Sequence, residues 1–254
     1  MLFAANGDFE RKEKMENQLD YPNALFAKYG FANSVKTKSC VDFQGNPIPW
    51  YSYPSIEYLS QLDFSDKTIF EFGCGNSSLW WAMRAKQVVS VEDNPQWYQS
   101  RLQYQMPNLS VNLCENQNDY CNAIFNYSCL FDVIVVDGKF RDNCATNAIK
   151  KLSSDGMIIF DNSDRVQEFD EYANASKIFS EADFLQVDFH GAGPINPWTW
   201  TTTVYFSRNF RFKPIAKLQP SKPICALTEA NAALAENTKY KLRKSFEEIL
   251  QRNR

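Results

Sequence analysis

The chain has 254 residues, 44% of them hydrophobic and 15% aromatic, enough for one large α/β domain or two small ones around a sizeable core. A formal net charge of −3 disfavours a sequence-nonspecific nucleic-acid partner, and no run approaches the roughly 18 apolar residues that a membrane span requires. Charge arrives eight residues into MLFAANGDFERKEK, too early for a signal-peptide core, and the seven cysteines include no Cys-x-x-Cys pair, so a cytoplasmic protein with reduced thiols and no zinc is expected.

Residues 1–40 are mixed and polar, with a short helix predicted around 24–31. Gln44-Gly45-Asn46-Pro47 is turn chemistry, and Ile56, Leu59 and Leu62 recur at helical spacing, giving a helix over 54–62. From residue 68 strands and helices alternate. Strands are predicted at 68–72, 87–91, 109–114, 131–136, 156–160, 184–189 and 201–206. Helices are predicted at 78–86, 97–105, 120–126, 143–152 and 166–180, with Asn94 as an N-cap and Pro95 as a first helical residue. FDVIVV (131–136) has the continuous apolar texture of a central parallel strand.

This alternation implies a doubly wound α/β sheet of seven strands, mostly parallel, with right-handed crossovers. The last two strands are joined by the short link 190–200, which has no crossover helix and suits an antiparallel neighbour. The expected organisation is an N-terminal extension and acceptor-side cap over 1–52, a catalytic domain over 53–208 and a C-terminal helical extension over 209–254. In that extension Leu242, Phe246, Ile249 and Leu250 form an apolar stripe, read as docked on the domain or as a contact with a second copy.

In such a sheet ligands sit beyond the carboxyl ends of the strands. Here those ends carry Gly73-Cys74-Gly75, Glu92, Asp137, Asp161-Asn162 and His190. The dinucleotide fingerprint G-x-G-x-x-G is incomplete, because Ser78 replaces its third glycine. Glu71 adds a carboxylate two residues before the turn. A pyrophosphate would be repelled by it, whereas a ligand carrying ammonium or sulfonium charge would be attracted. Glu92, seventeen positions after Gly75, suits a pair of ribose hydroxyls, which fits NAD as well as S-adenosylmethionine.

Taken together, FEFGCGNS (70–77), VSVEDN (89–94), FDVIVVDG (131–138) and LSSDGMIIFDN (152–162) resemble the class I S-adenosylmethionine-dependent methyltransferases, over about 53–206. The resemblance implies a Rossmann-like sheet of order 3-2-1-4-5-7-6 with strand seven antiparallel. It implies that Glu71, Gly73, Cys74, Gly75, Asn76 and Ser77 hold the methionine part of the cofactor, with Asp137 across from them. Glu92, with Asp93 beside it, is implied at the ribose, and Asn118 and Asp119 at the adenine. PWYSYPSIEYL with FEFGCGNSSLWW is also similar to a bacterial methyltransferase-like group associated with surface-glycan and secondary metabolism.

On the acceptor side, methyl transfer requires alignment and, for a hydroxyl, removal of a proton. Asp137, Lys139 and His190 are the catalytic candidates. His190 reads as a general base or as a hydrogen-bonded structural histidine. Asp137, Asp161 and Asn162 resemble the divalent-cation ligands of the catechol-type O-methyltransferases, an oxygen set that suits magnesium or calcium, or alternatively serve turns and caps. Arg141 reads as an anion-binding group or, with Lys139, as a solvated charge. Trp50, Tyr51 and Trp198 are expected to wall a pocket for a sugar, an aromatic ring or a flat base. The expected function is O-methylation of a small-molecule or glycan-precursor acceptor. The alternatives are an NAD-linked oxidoreductase and a non-catalytic binding or assembly module.

Overall fold

The computed structural model describes residues 26–226. The part of the expected C-terminal helical extension beyond residue 226, with its apolar stripe, lies outside those residues. The described residues through Ser221 belong to one compact unit; of a second unit beginning at Lys222, the described residues 222–226 form a turn.

Seven strands make one sheet: β1 (Thr68–Phe72), β2 (Gln87–Glu92), β3 (Leu109–Leu113), β4 (Phe131–Val136), β5 (Leu152–Asp161), β6 (Phe184–Ala192) and β7 (Thr199–Ser207). Their order is β3-β2-β1-β4-β5-β7-β6, with β7 antiparallel to both neighbours and the other pairings parallel. The helices are α1 (Phe31–Thr37), α2 (Tyr53–Leu59), α3 (Asn76–Ala82), α4 (Pro95–Leu102), α5 (Gln117–Asn122), α6 (Arg141–Lys151) and α7 (Asp170–Ser180). The predicted strands at 68–72 and 131–136 agree to the residue. β5 through β7 run longer than predicted, because pairing with neighbours continues past the apolar stretch: Asp161 pairs with Thr202, and Ala192 with Thr199.

Side chains alternate across a strand, and here the alternation sorts the core into two layers. Ile69, Val88, Val133, Val135, Met157, Ile159 and Val204 face a cluster with Ile56, Leu59, Phe64, Trp80 and Trp81 from α2, α3 and the loop between β1 and α2. Phe70, Phe72, Val89, Val91, Ile134, Val136, Ile158, Phe160 and Tyr205 face the opposite cluster with Ile124, Cys144, Ala148, Tyr172 and Phe179. The segment after β7 packs back onto this unit. Phe212 is buried against Phe64 at 5.7 Å, Pro214 bridges Leu62, and Ile215 donates its amide to the Gln61 carbonyl.

The N-terminal segment is likewise built into this unit. Asn76 at the start of α3 donates to the Ser39 hydroxyl at 2.9 Å and to the Cys40 carbonyl at 2.6 Å. Ser52 donates its amide to Thr202 Oγ1 at 3.0 Å and its hydroxyl to the Phe189 carbonyl at 2.8 Å. Residues 39–52 therefore form a strap pinned to α3 at one end and to β6 and β7 at the other.

Candidate active site

The two-residue period that builds the core also sets the site. One step beyond Ile69 on the same face is Glu71, and one step beyond Val88 come Ser90 and then Glu92. Asp137 follows Val135 on this face, and Asp161 follows Ile159. Four strand-end carboxylates thus gather on the face that the 39–52 strap covers, at the carboxyl edge of β1, β2, β4 and β5.

Glu71 and Glu92 flank the glycine turn. Glu71 is 1% exposed and accepts hydrogen bonds from Ser78 and, at 2.8 Å, from Ser90. Burial pushes its carboxyl up to about 7 despite the opposing hydroxyls of Ser77, Ser78 and Ser90. Glu92 accepts from the amide of Cys74 at 3.1 Å through one oxygen and from the amide of Asn94 at 3.0 Å through the other. Burial raises its pKa as well, against those two amides. The Cys74 thiol also bonds Glu92, and a carboxylate's roughly four lone-pair sites leave Glu92 acceptor capacity beyond these three donors.

The turn itself demands glycine at two points. Gly73 has φ +104, and a Cβ there would meet the Asp137 carbonyl at 3.1 Å. A Cβ on Gly138 would lie 1.9 Å from the Tyr120 hydroxyl and 3.1 Å from the Gly73 nitrogen. The turns after β1 and β4 are therefore in backbone contact. Gly75 is extended, and its amide donates to Ser78 Oγ at 3.1 Å, so Ser78, where the fingerprint has a third glycine, closes the first turn of α3 and also holds Glu71. Trp97, on the first turn of α4, donates its indole to the Cys74 carbonyl; Ser90 and Trp97 were not among the sequence candidates. The alternation VSVE already placed Ser90 between the two glutamates, whereas nothing local signalled Trp97.

Other expected residues are placed differently. Asp93 forms an ion pair with Lys139, so the side chains expected at the ribose and on the acceptor side are each other's partners here. Asn118 and Asp119 are exposed on the first turn of α5. Asp119 takes the amide end of Asn116, which caps that helix, and Asn118 accepts from Asn122. His190 lies one step from Phe189 along β6, so it falls on the other face. Its Nδ1 pairs with Thr201 Oγ1 at 2.7 Å, beside a polar groove of about 520 Å³ that includes Ser163, Asp164 and Asp188. The expectation that it faces the acceptor side therefore fails, because strand alternation directs the ring toward α7.

Arg141, expected to meet an anionic acceptor, is a buried clamp. It is 4% exposed and donates to the carbonyls of Gly138, Val136 and Asp161 at 3.0, 3.2 and 2.5 Å, and to Asp137 at 3.2 Å. Its guanidinium lies 4.6 Å from the Tyr172 ring centre. It ties the ends of β4 and β5 together, with Nε, both donors of Nη1 and one donor of Nη2 committed to these partners.

The metal expectation fails on the same geometry. One oxygen of Asp161 is taken by Trp200 Nε1 at 3.1 Å and Thr202 Oγ1 at 2.5 Å, and Asp137 is engaged by Arg141. Asn162 sits in the left-handed region at φ +54, where its carbonyl accepts from the Arg165 amide in a turn. Among the described residues no group of three or more His, Cys, Asp or Glu is placed to hold a metal. Burial and the neighbouring Asp137 push the Asp161 carboxyl well above its ordinary range. Burial also raises Asp137, to about 6, against the pull of Arg141, yet its side chain remains 21% exposed at the strand end.

Tyr51 is fully buried, its side chain turned inward from the strap, and its hydroxyl accepts from Trp81 Nε1 at 3.5 Å. Burial first, then the charges of Glu71 and Asp137, raise its pKa, which places the hydroxyl among the strand-end acids. Trp50 and Trp198 are exposed at 43% and 55%. Their segments meet, since a Cβ on Gly193 would lie 2.5 Å from the Tyr51 carbonyl and 2.2 Å from the Trp200 ring.

The sheet order, the antiparallel β7 and a glycine turn backed by an acid at the end of β2 are those of the seven-stranded Rossmann-like methyltransferase fold. No family model and no curated protein matches the chain. Among solved structures, the chain is similar to the O-methyltransferase TomG from Streptomyces achromogenes in complex with SAM, at 17% identity, TM-score 0.47, covering 61% of this chain and 77% of that one. It is also similar to SMU.1697c from Streptococcus mutans in complex with SAH, at 13% identity, TM-score 0.43, covering 59% and 94%. A third is precorrin-6y C5,15-methyltransferase from Geobacter metallireducens, at 10% identity, TM-score 0.47, covering 61% and 87%. At identities and scores this low they say nothing about the reaction of this chain. Among the described residues no helix is long and apolar enough to cross a membrane.

Proposed function

We propose that the chain is an S-adenosylmethionine-dependent methyltransferase acting on a hydroxyl of a small-molecule or glycan-precursor acceptor. The observation that carries this is the pair of buried glutamates on either side of the glycine turn. Glu92 is held by the Cys74 and Asn94 amides and the Cys74 thiol, and its carboxylate keeps acceptor capacity that suits ribose hydroxyls. Glu71 stands behind the turn; with its carboxyl pushed up to about 7 it is partly ionised at neutral pH, so a pyrophosphate would face partial negative charge and a cationic ligand, which favours the ionised form, would be preferred. That opposes NAD.

The residues fit the group. Gly73, Cys74, Gly75, Asn76 and Ser77 offer the backbone turn for the methionine end, and Glu71 supplies negative potential toward its ammonium. When bound, S-adenosylmethionine supplies an electrophilic methyl on a sulfonium. Of the three catalytic candidates, Asp137 alone stands at the central strand end with part of its side chain exposed on the covered face. We assign it the role of accepting the hydroxyl proton. A carboxyl raised to about 6 is a better base at neutral pH than an ordinary aspartate and is still mostly ionised. Trp50 and Trp198 offer apolar walls for a ring-bearing acceptor.

Thermal-shift titration with S-adenosylhomocysteine and with NAD tests the reading, because a ligand of the native state raises apparent stability. The expected result is a shift with S-adenosylhomocysteine and none with NAD; the reverse pattern would overturn it.

A further inference from the structure

The sheet has two edges, and they are finished differently. β3 is five residues long, and every side chain on it is partly covered. β6 is nine residues long, and Leu185, Gln186, Val187 and Asp188 are all exposed along it. Its register against β7 runs unbroken from Phe184 opposite Ser207 to Ala192 opposite Thr199. Edge strands that stay solitary are usually shortened, bulged or guarded by lysine or proline. FLQVDFHGA has none of these; its one charge, Asp188, is engaged by Gln186 and Thr203 on its own sheet.

On one face of this edge, Leu185, Val187 and Phe189 join Tyr58, Phe206 and Phe210 around a groove of about 380 Å³. Leu185 is 54% exposed and Val187 36%. On the other face, Gln186 reaches Asp188 at 2.9 Å.

The pattern is self-complementary about Val187. If a second β6 is laid antiparallel with Val187 opposite Val187, Leu185 falls opposite Phe189 on the apolar face. On the polar face Gln186 falls opposite Asp188, an amide donor facing a carboxylate. Both matches occur twice, as two-fold symmetry requires. A register shifted by one residue along each strand would set Asp188 against Asp188 and place like charges opposite each other.

We propose that β6 is a homodimer interface, pairing antiparallel with β6 of a second copy about Val187 and joining the two sheets into one. The proposal stands independently of the reaction. Light scattering on the full chain, over a micromolar concentration series, should give twice the chain mass. Val187→Lys should give the monomer. Gln186→Glu, an exposed and conservative change, should weaken the dimer roughly tenfold by facing Asp188 of the second copy with a like charge, and Gln186→Lys should preserve or tighten it. Circular dichroism of each variant establishes that it is folded. A monomeric wild-type chain would overturn the proposal, as would a dimer indifferent to both substitutions at Gln186.

Discussion

Glu92 and Asp161 end strands of the same sheet, on the same face, and both are buried, yet they are set up for different work. Glu92 is met by backbone amides, one to each oxygen, and faces the glycine turn. Asp161 is met on one oxygen by Trp200 and Thr202, while Arg141 takes its backbone carbonyl. Glu71 and Glu92 therefore flank a turn that leaves backbone and carboxylate groups to offer a ligand. Asp137 and Asp161 belong to a clamp that locks the β4 and β5 ends, with only Asp137 reaching the surface. A strand-end acid is thus not by itself a ligand; what occupies its lone pairs decides.

Breaking the clamp should have the largest effect on the protein itself. Arg141→Ala leaves three carbonyls and Asp137 without their donor, and thermal or urea unfolding should show a loss of about 3–5 kcal/mol. Asp137→Asn should leave the cofactor affinity nearly intact and lower the turnover number by roughly a hundredfold or more, as expected for loss of a general base. The wild-type rate should rise as pH passes through about 6, where Asp137 loses its proton. That rise should disappear in the variant; an unchanged profile would remove Asp137 from the chemistry.

Glu71 gives a pH signature on the other side of the comparison. Its folded value of about 7 lies above the ordinary 4.5, so the native state binds its proton more tightly than the unfolded chain. That contribution is complete below 4.5 and is lost as pH rises through 7. Glu71→Gln should therefore gain stability relative to wild type across this window, by on the order of 3 kcal/mol at its upper end, read from urea unfolding at several pH values. Equal pH dependence in the two proteins would contradict the burial account. The smallest effect belongs to His190→Ala, which faces α7: its turnover should stay within about twofold, and its stability within about 0.5 kcal/mol, of wild type.

Much of this site was legible in the strands. A period of two places Glu71, Ser90, Glu92, Asp137 and Asp161 on one face as soon as the apolar run in each strand is recognised, and the same count puts His190 on the other. Local chemistry did not reveal which lone pairs were already taken. Trp200 reaches Asp161 from 39 positions away, Lys139 reaches Asp93 across 46, and Arg141 closes on a carbonyl 20 residues on. These are products of sheet order rather than of any short motif. Ser78 was legible as a missing glycine, but its hydroxyl, which bonds both the Gly75 amide and Glu71, explains the substitution only once the turn is folded.

Calorimetric titration of S-adenosylhomocysteine into wild type and Glu92→Ala decides whether Glu92 and Glu71 seat S-adenosylmethionine. The wild type should bind measurably and the variant more than roughly tenfold more weakly, since hydrogen bonds to a charged acceptor are each worth about 1.5–3 kcal/mol. Equal affinities in the two proteins, with the variant folded, would contradict that seating.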